Sequence, residues 1–180
     1  MMKRKTLLIV ALCLLSFLPA RAQEGLQIDS LFREMSGGQD VAESIVTGSE
    51  LRPYRLKYFR SISFKANAKM IARIARLIEA DAVNGAEDTK IDYVGGQLNY
   101  AILRLPVKGT RENMYVCFQA KKITNEVMTF GGLPGDPPRE VTGYVLDEKA
   151  KGPFKKAYVT VVYLKGKATM DDLNYMFKKR

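Results

Sequence analysis

Between residues 52 and 76 the chain carries Arg52, Arg55, Lys57, Arg60, Lys65, Lys69, Arg73 and Arg76, and no acidic residue. Tyr54, Tyr58, Phe59 and Phe64 interleave with the first of these cations. Side chains of these two kinds can hold an anionic polymer: ammonium and guanidinium groups meet phosphates or carboxylates, and rings stack on bases or sugars. The last four cations stand four, four and three residues apart, a spacing that a helix turns into one stripe. The same spacing also describes the solvated outer face of a helix whose inner face carries Met70, Ile74 and Ile78. Both readings stand on sequence alone.

The remaining reactive groups are sparse. The chain has no His, which removes Ser-His-Asp and Cys-His devices, His-ligated zinc and the commonest general base at neutral pH. A Ser–Lys arrangement stays open, but neither Ser61 nor Ser63 has the Ser-x-x-Lys spacing to Lys65. Gly95-Gly96 and Gly131-Gly132 match neither a phosphate loop nor a dinucleotide fingerprint. Glu79, Asp81, Glu87, Asp88 and Asp92 gather around a helix end without the alternating ligand positions of a calcium loop, and read as solvated acids of a turn. Asp171 and Asp172 are adjacent, so on a helix they diverge and read as capping residues. No metal and no cofactor is expected.

Elements must position these groups, and the first segment is expected to be removed before they form. Lys3, Arg4 and Lys5 precede an apolar run over 7–17, and Leu18-Pro19-Ala20-Arg21-Ala22 ends in Ala-x-Ala. This is the build of a secretory signal peptide over 1–22, and the run is too short for the ~20 residues that span a bilayer. Cleavage after Ala22 would leave 25 basic against 19 acidic residues, a net charge of +6, with Cys117 as the one thiol. No intrachain disulfide is then possible, and Cys117, within Met114-Tyr115-Val116-Cys117-Phe118, reads as a small buried hydrophobe. No transmembrane segment is expected in the mature chain.

Leu31, Phe32 and Met35 predict a short helix with Asp29 as its cap, ended by Gly37-Gly38. Residues 41–51 read as extended, and 56–64 as either strand or irregular. Met70, Ile71, Ile74, Leu77 and Ile78 form the apolar stripe of a helix over about 67–83, closed by Asn84-Gly85. Residues 91–94 and 97–105 flank Gly95-Gly96, a two-residue hairpin signal, and 113–120 follows as a further strand. Residues 126–130 and 141–146 are weaker strands. Residues 157–164 are apolar on both faces, as a central strand requires. Thr169 caps a last helix bearing Leu173, Met176 and Phe177, with Lys178, Lys179 and Arg180 at its end. Together these elements predict one α+β domain over 23–180: a mainly antiparallel sheet with helices packed on one face and a loop-rich segment at about 125–156. The loops at 131–139 and 147–156 are long enough to carry function as easily as connection.

The order of these features resembles small exported proteins of unknown function from Gram-negative bacteria. The resemblance rests on the leader, on Leu31-Phe32 in a short helix and on Tyr58-Phe59-Arg60-Ser61-Ile62-Ser63-Phe64. It continues through Tyr100-Ala101-Ile102-Leu103-Arg104-Leu105-Pro106 and Val162-Tyr163-Leu164-Lys165-Gly166-Lys167-Ala168-Thr169 before a terminal helix. It implies export and a single α+β domain, and brings no catalytic residues. The expected function is a non-catalytic binding module of the periplasm or cell envelope, with the eight cations of 52–76 as its site. The expected partner is an anionic glycan, lipopolysaccharide or an acidic protein; an export signal argues against nucleic acid. The alternative is a His-free hydrolase or lyase acting on an anionic glycan through Tyr, Lys, Arg and carboxylates in a cleft.

Overall fold

The computed structural model describes residues 25–130, 139–147 and 149–173, with backbone alone at 125–130 and 139–145. The expected leader, the loop at 131–138 and the last helix beyond Leu173 lie outside the described residues. In chain order the elements are α1 (Asp29–Met35), β1 (Val41–Thr47), a 3-10 turn (Ser49–Tyr54), β2 (Leu56–Asn67) and α2 (Ala68–Val83). Then come β3 (Asp88–Val94), β4 (Gln97–Pro106), β5 (Asn113–Phe130), β6 (Arg139–Asp147) and β7 (Lys156–Gly166). Residues 56–64 are therefore strand, as part of β2. The extended stretch expected over 41–51 stops at Thr47, where Gly48 (φ 88°) turns the chain into the Pro53-containing 3-10 segment.

All pairings are antiparallel, in the order β1-β2-β7-β5-β4-β3, with β6 paired to β5. β7 is central, between β2 and β5, which accounts for the apolar character of both its faces. β5, 18 residues long, is the strand that changes partner. Its first half pairs β4 through Asn113–Gln119, and Lys122–Phe130 pairs β6. Lys122 faces Ala157 of β7 and Asp147 of β6 at once. β6 therefore continues the edge of β5 that β4 occupies lower down, and Ala120 and Lys121 face neither strand.

The alternation of strand side chains builds two cores. Ile62, Phe64, Ala101, Leu103, Val116, Phe118, Val159, Val161 and Tyr163 point to one face, where α1 adds Leu31 and Phe32 and α2 adds Ile71, Ile74 and Ile78. Leu56, Ile102, Tyr115, Cys117, Val162 and Leu164 point to the other, where Leu51 of the 3-10 turn, Ala168 and Leu173 cover them. The two α-helices thus serve the first face, and the 3-10 turn and the start of the last helix serve the second.

The caps follow local chemistry. Asn67 Oδ1 accepts from the Met70 N–H at 2.9 Å and starts α2. Thr169 Oγ1 accepts from the Asp172 N–H at 3.2 Å while Asp172 Oδ2 accepts from the Thr169 N–H at 2.7 Å, a reciprocal capping box that starts the last helix. α1 departs from expectation. Asp29 lies inside its first turn and pairs with Arg33. The acceptor at that helix start comes instead from Asp81 of α2, whose carboxylate takes the N–H groups of Gln27 (2.6 Å) and Ile28 (3.0 Å). Asp81 is only 2% exposed, which corrects its reading as a solvated acid of the following turn.

Cys117 is buried in the second core, and burial pushes its thiol up to about 12. A thiolate is the reactive form. A thiol reagent should therefore leave Cys117 unmodified in the folded protein and label it once the chain is unfolded in guanidinium, with mass mapping as the readout. Rapid labelling of the native state would place Cys117 at the surface instead.

Candidate functional site

The eight cations of 52–76 do not form one surface, because the segment spans a 3-10 turn, a strand and a helix. Four of them are paired with carboxylates: Arg55 with Asp172 (3.3 Å), Lys57 with Glu112, Arg60 with Glu43 (2.8 Å) and Arg73 with Glu34 (2.9 and 2.5 Å). The hydrogen bond from Arg73 holds the Glu34 carboxyl below its ordinary value, and Lys57 does the same for Glu112. For Glu43, burial pushes upward, but hydrogen bonds from Ser36 and Arg60 outweigh it and the carboxyl is lowered. Arg60 also lies 5.0 Å from the Phe32 ring centroid and donates to the Phe32 carbonyl at 3.3 Å, so it clamps α1 to the sheet.

The stripe is shorter than the spacing implied. Lys65 belongs to β2, and only Lys69, Arg73 and Arg76 share α2. Lys65 is exposed at the far end of β2, opposite Tyr158 of β7. Arg52 is exposed on the 3-10 turn. The interleaved rings are spent on packing: Tyr58 and Phe64 join the first core and Phe59 the second, leaving Tyr54 half-exposed. The two-residue period of a strand thus divides these rings, and the cations among them, between the two faces of the sheet.

A different group of cations converges. Where β5 passes from β4 to β6, the unmatched Ala120 and Lys121 border a cleft of about 510 Å³. Its floor is the row in which Asp92 of β3 faces Tyr100 of β4, and Tyr100 faces Gln119 of β5. Its far wall is the connection from β6 to β7, which brings Lys149 and Lys151. With Lys90 and Lys121, four lysines line the cleft, and Asp92 is the one carboxylate among its described lining residues.

The wall is fixed in place by polar contacts to the hairpin. Gln97 donates from Nε2 to the Phe154 carbonyl (3.0 Å) and accepts from the Phe154 N–H (2.6 Å), and the Gly152 N–H donates to Asn99 Oδ1 (3.4 Å). Asp147 accepts from the N–H groups of Lys149 and Ala150, each at 3.0 Å, which turns the chain away from β6. Phe154 is buried in the first core. The Gly95-Gly96 turn has φ values of 56° and 76°, and a Cβ on Gly95 would lie 2.7 Å from Pro153, so the hairpin tip is also shaped to receive this wall.

The lining combines cations with one aromatic ring. Lys90 Nζ stands 5.8 Å from the Tyr100 ring centroid, held by a π face that leaves its charge unneutralised. Burial, and then Cys117, hold the Tyr100 phenol above its ordinary value, so its phenolate is disfavoured as a base. Among the described residues no group of three His, Cys, Asp or Glu could hold a metal ion.

Residues 15–130 match the family described as Family of unknown function (DUF6108). The chain belongs to DUF6108. No curated protein and no solved structure matches it. The stretch matched to DUF6108 ends with β5, so it holds Lys90, Tyr100 and Lys121 of the cleft, while Lys149, Lys151 and the central strand β7 follow it.

The cleft was not visible along the sequence because it joins three stretches far apart in the chain. The one signal pointing to it was the long connection at 147–156. No helix among the described residues is long and apolar enough to cross a membrane.

Proposed function

We propose that this DUF6108 protein is an exported, non-catalytic binding module of the periplasm or cell envelope that holds an anionic ligand in the lysine-lined cleft. The observation that carries this reading is the convergence of Lys90, Lys121, Lys149 and Lys151 on one concave site, with a single carboxylate among its described residues. Like charges held together in this way gain from an anionic partner, and the resulting attraction is screened by salt. Export rests on the leader-like sequence of residues 1–22.

The cations of 52–76 have a secondary part in this reading. Arg52, Lys69 and Arg76 have no carboxylate partner among the described residues. Scattered over a turn and a helix, they raise the field around the protein rather than form its site, and so speed encounter with an anion.

The test is calorimetric titration with polygalacturonate, at rising salt, of the protein and two double variants. Lys149→Glu with Lys151→Glu should weaken binding about tenfold or more, the worth of losing charged hydrogen bonds. Lys69→Glu with Arg76→Glu should slow association and flatten its salt dependence while leaving affinity within about threefold, as changing rim charges does. Salt-independent binding, or full binding by the cleft variant, would remove the cleft from consideration.

A further inference from the structure

The cleft is not uniformly positive, and its acidic and neutral groups discriminate among anions. Asp92 is half-buried on the floor, and its carboxylate receives one hydrogen bond, from Asn99 Nδ2 at 3.5 Å. No ammonium pairs with it among the described residues. A carboxylate accepts at up to about four positions, so most of its capacity is unused and faces the cleft. Gln119, on the same row, is exposed and adds a carboxamide that both donates and accepts.

A phosphate or sulfate chain brings acceptors alone. Beside the lysines it would be attracted, but over Asp92 it would set anion against anion. A ligand that carries hydroxyl donors next to a carboxylate satisfies both parts of the lining. Asp92 and Gln119 then take hydroxyls, and Lys90, beside the Tyr100 ring, takes the carboxylate. The volume of about 510 Å³ suits a small organic ligand, for which pockets run to ~300–1,000 Å³, and far exceeds one inorganic anion.

From these features we infer that the cleft takes an acidic sugar: a uronic-acid oligosaccharide with its carboxylates on the lysines and its hydroxyls on Asp92 and Gln119. This inference rests on the anion-binding reading of the same cleft. It assigns Asp92 the part of a selector against ligands that offer acceptors alone.

The test titrates the protein with trimers of galacturonate and of mannuronate, with a neutral hexose trimer and with inorganic tripolyphosphate. At least one uronate trimer should bind, the neutral trimer should not, and tripolyphosphate should bind about tenfold more weakly or worse, the worth of a charged contact. Asp92→Asn is isosteric; it should weaken the uronate and strengthen tripolyphosphate, reversing the preference. Gln119→Ala, at an exposed strand position, should weaken the uronate alone. Circular dichroism confirms that both variants keep the fold. Tripolyphosphate that matches the uronates and ignores Asp92→Asn would overturn the acidic-sugar inference while leaving an anion site. Absence of binding by every anionic probe would overturn both.

Discussion

Replacing Asp81 by Ala is expected to lower the unfolding free energy by about 2–4 kcal/mol, because a buried backbone N–H left without an acceptor costs ~1–3 kcal/mol. The Ile28 N–H is such a donor, and the part-buried N–H of Gln27 also depends on this carboxylate. Their loss would loosen the start of α1, which seats Ile28, Leu31 and Phe32 in the first core. Asp81→Asn keeps one carbonyl acceptor and should cost less than Ala. Urea unfolding followed by circular dichroism reads both variants. An Ala variant as stable as the parent would show that Asp81 does not hold the helix start.

The same residue gives a pH signature. Burial pushes the Asp81 carboxyl above its ordinary value, and the two N–H groups offset this only in part. The folded state therefore binds this proton more tightly than the unfolded chain, so ionisation costs stability as pH rises from the ordinary value to the raised one. Glu34, Glu43, Glu112 and Asp172 work in the opposite sense. Their folded values are lowered, so the stability they supply is present above the ordinary carboxylate range and is lost as pH falls through it. In acid the protein as a whole should weaken. The gap between parent and Asp81→Asn should move in favour of the parent as pH falls toward the ordinary carboxylate value.

Gly166→Ala should cost about 1–3 kcal/mol, the usual penalty for forcing an extra carbon into a packed site. A Cβ there would lie 2.5 Å from the Arg55 carbonyl oxygen and 2.6 Å from Leu56 Cα, both backbone atoms with no side-chain freedom to yield. The tightness has a local cause. Arg55 takes a left-handed φ of 59°, the register of β2 shifts between Leu56 and Tyr58, and the Lys167 N–H donates to the Arg55 carbonyl at 2.8 Å. Relief would push the 3-10 turn outward, withdraw Leu51 from the second core and strain the Arg55–Asp172 pair. A lowered denaturant midpoint is the expected readout. An unchanged midpoint would show that the turn yields without cost.

Where local pattern determined an outcome, the sequence was readable. The apolar stripe of α2, the Gly95-Gly96 hairpin and the two-faced β7 each depend on a few neighbouring residues. Where the outcome depended on pairing between distant segments, it was not. The partner change of β5 is decided by where β4 ends and β6 begins, and neither is written into β5 itself. The basic run of 52–76 was legible as composition but misleading as a surface, since strand alternation and carboxylates from other elements disperse it. Asp81 did leave a trace. It continues the series Ile71, Ile74, Ile78 at helical spacing, so a carboxylate stood on an apolar face and required buried donors. The cleft needs Tyr100, Lys121 and Lys151 together, and only the folded sheet brings them so.

The strand order also sets a schedule. β7 joins β2 to β5, and among the described residues no other pairing connects the β1–β2 ribbon to the strands β3 through β6. Six strands can emerge and pair only as two separate pieces, each with a bare edge, until β7 arrives to bridge them. A chain made from its N-terminus is thereby kept from completing its fold before its last strand is available. Completion waits on a segment that follows all six others.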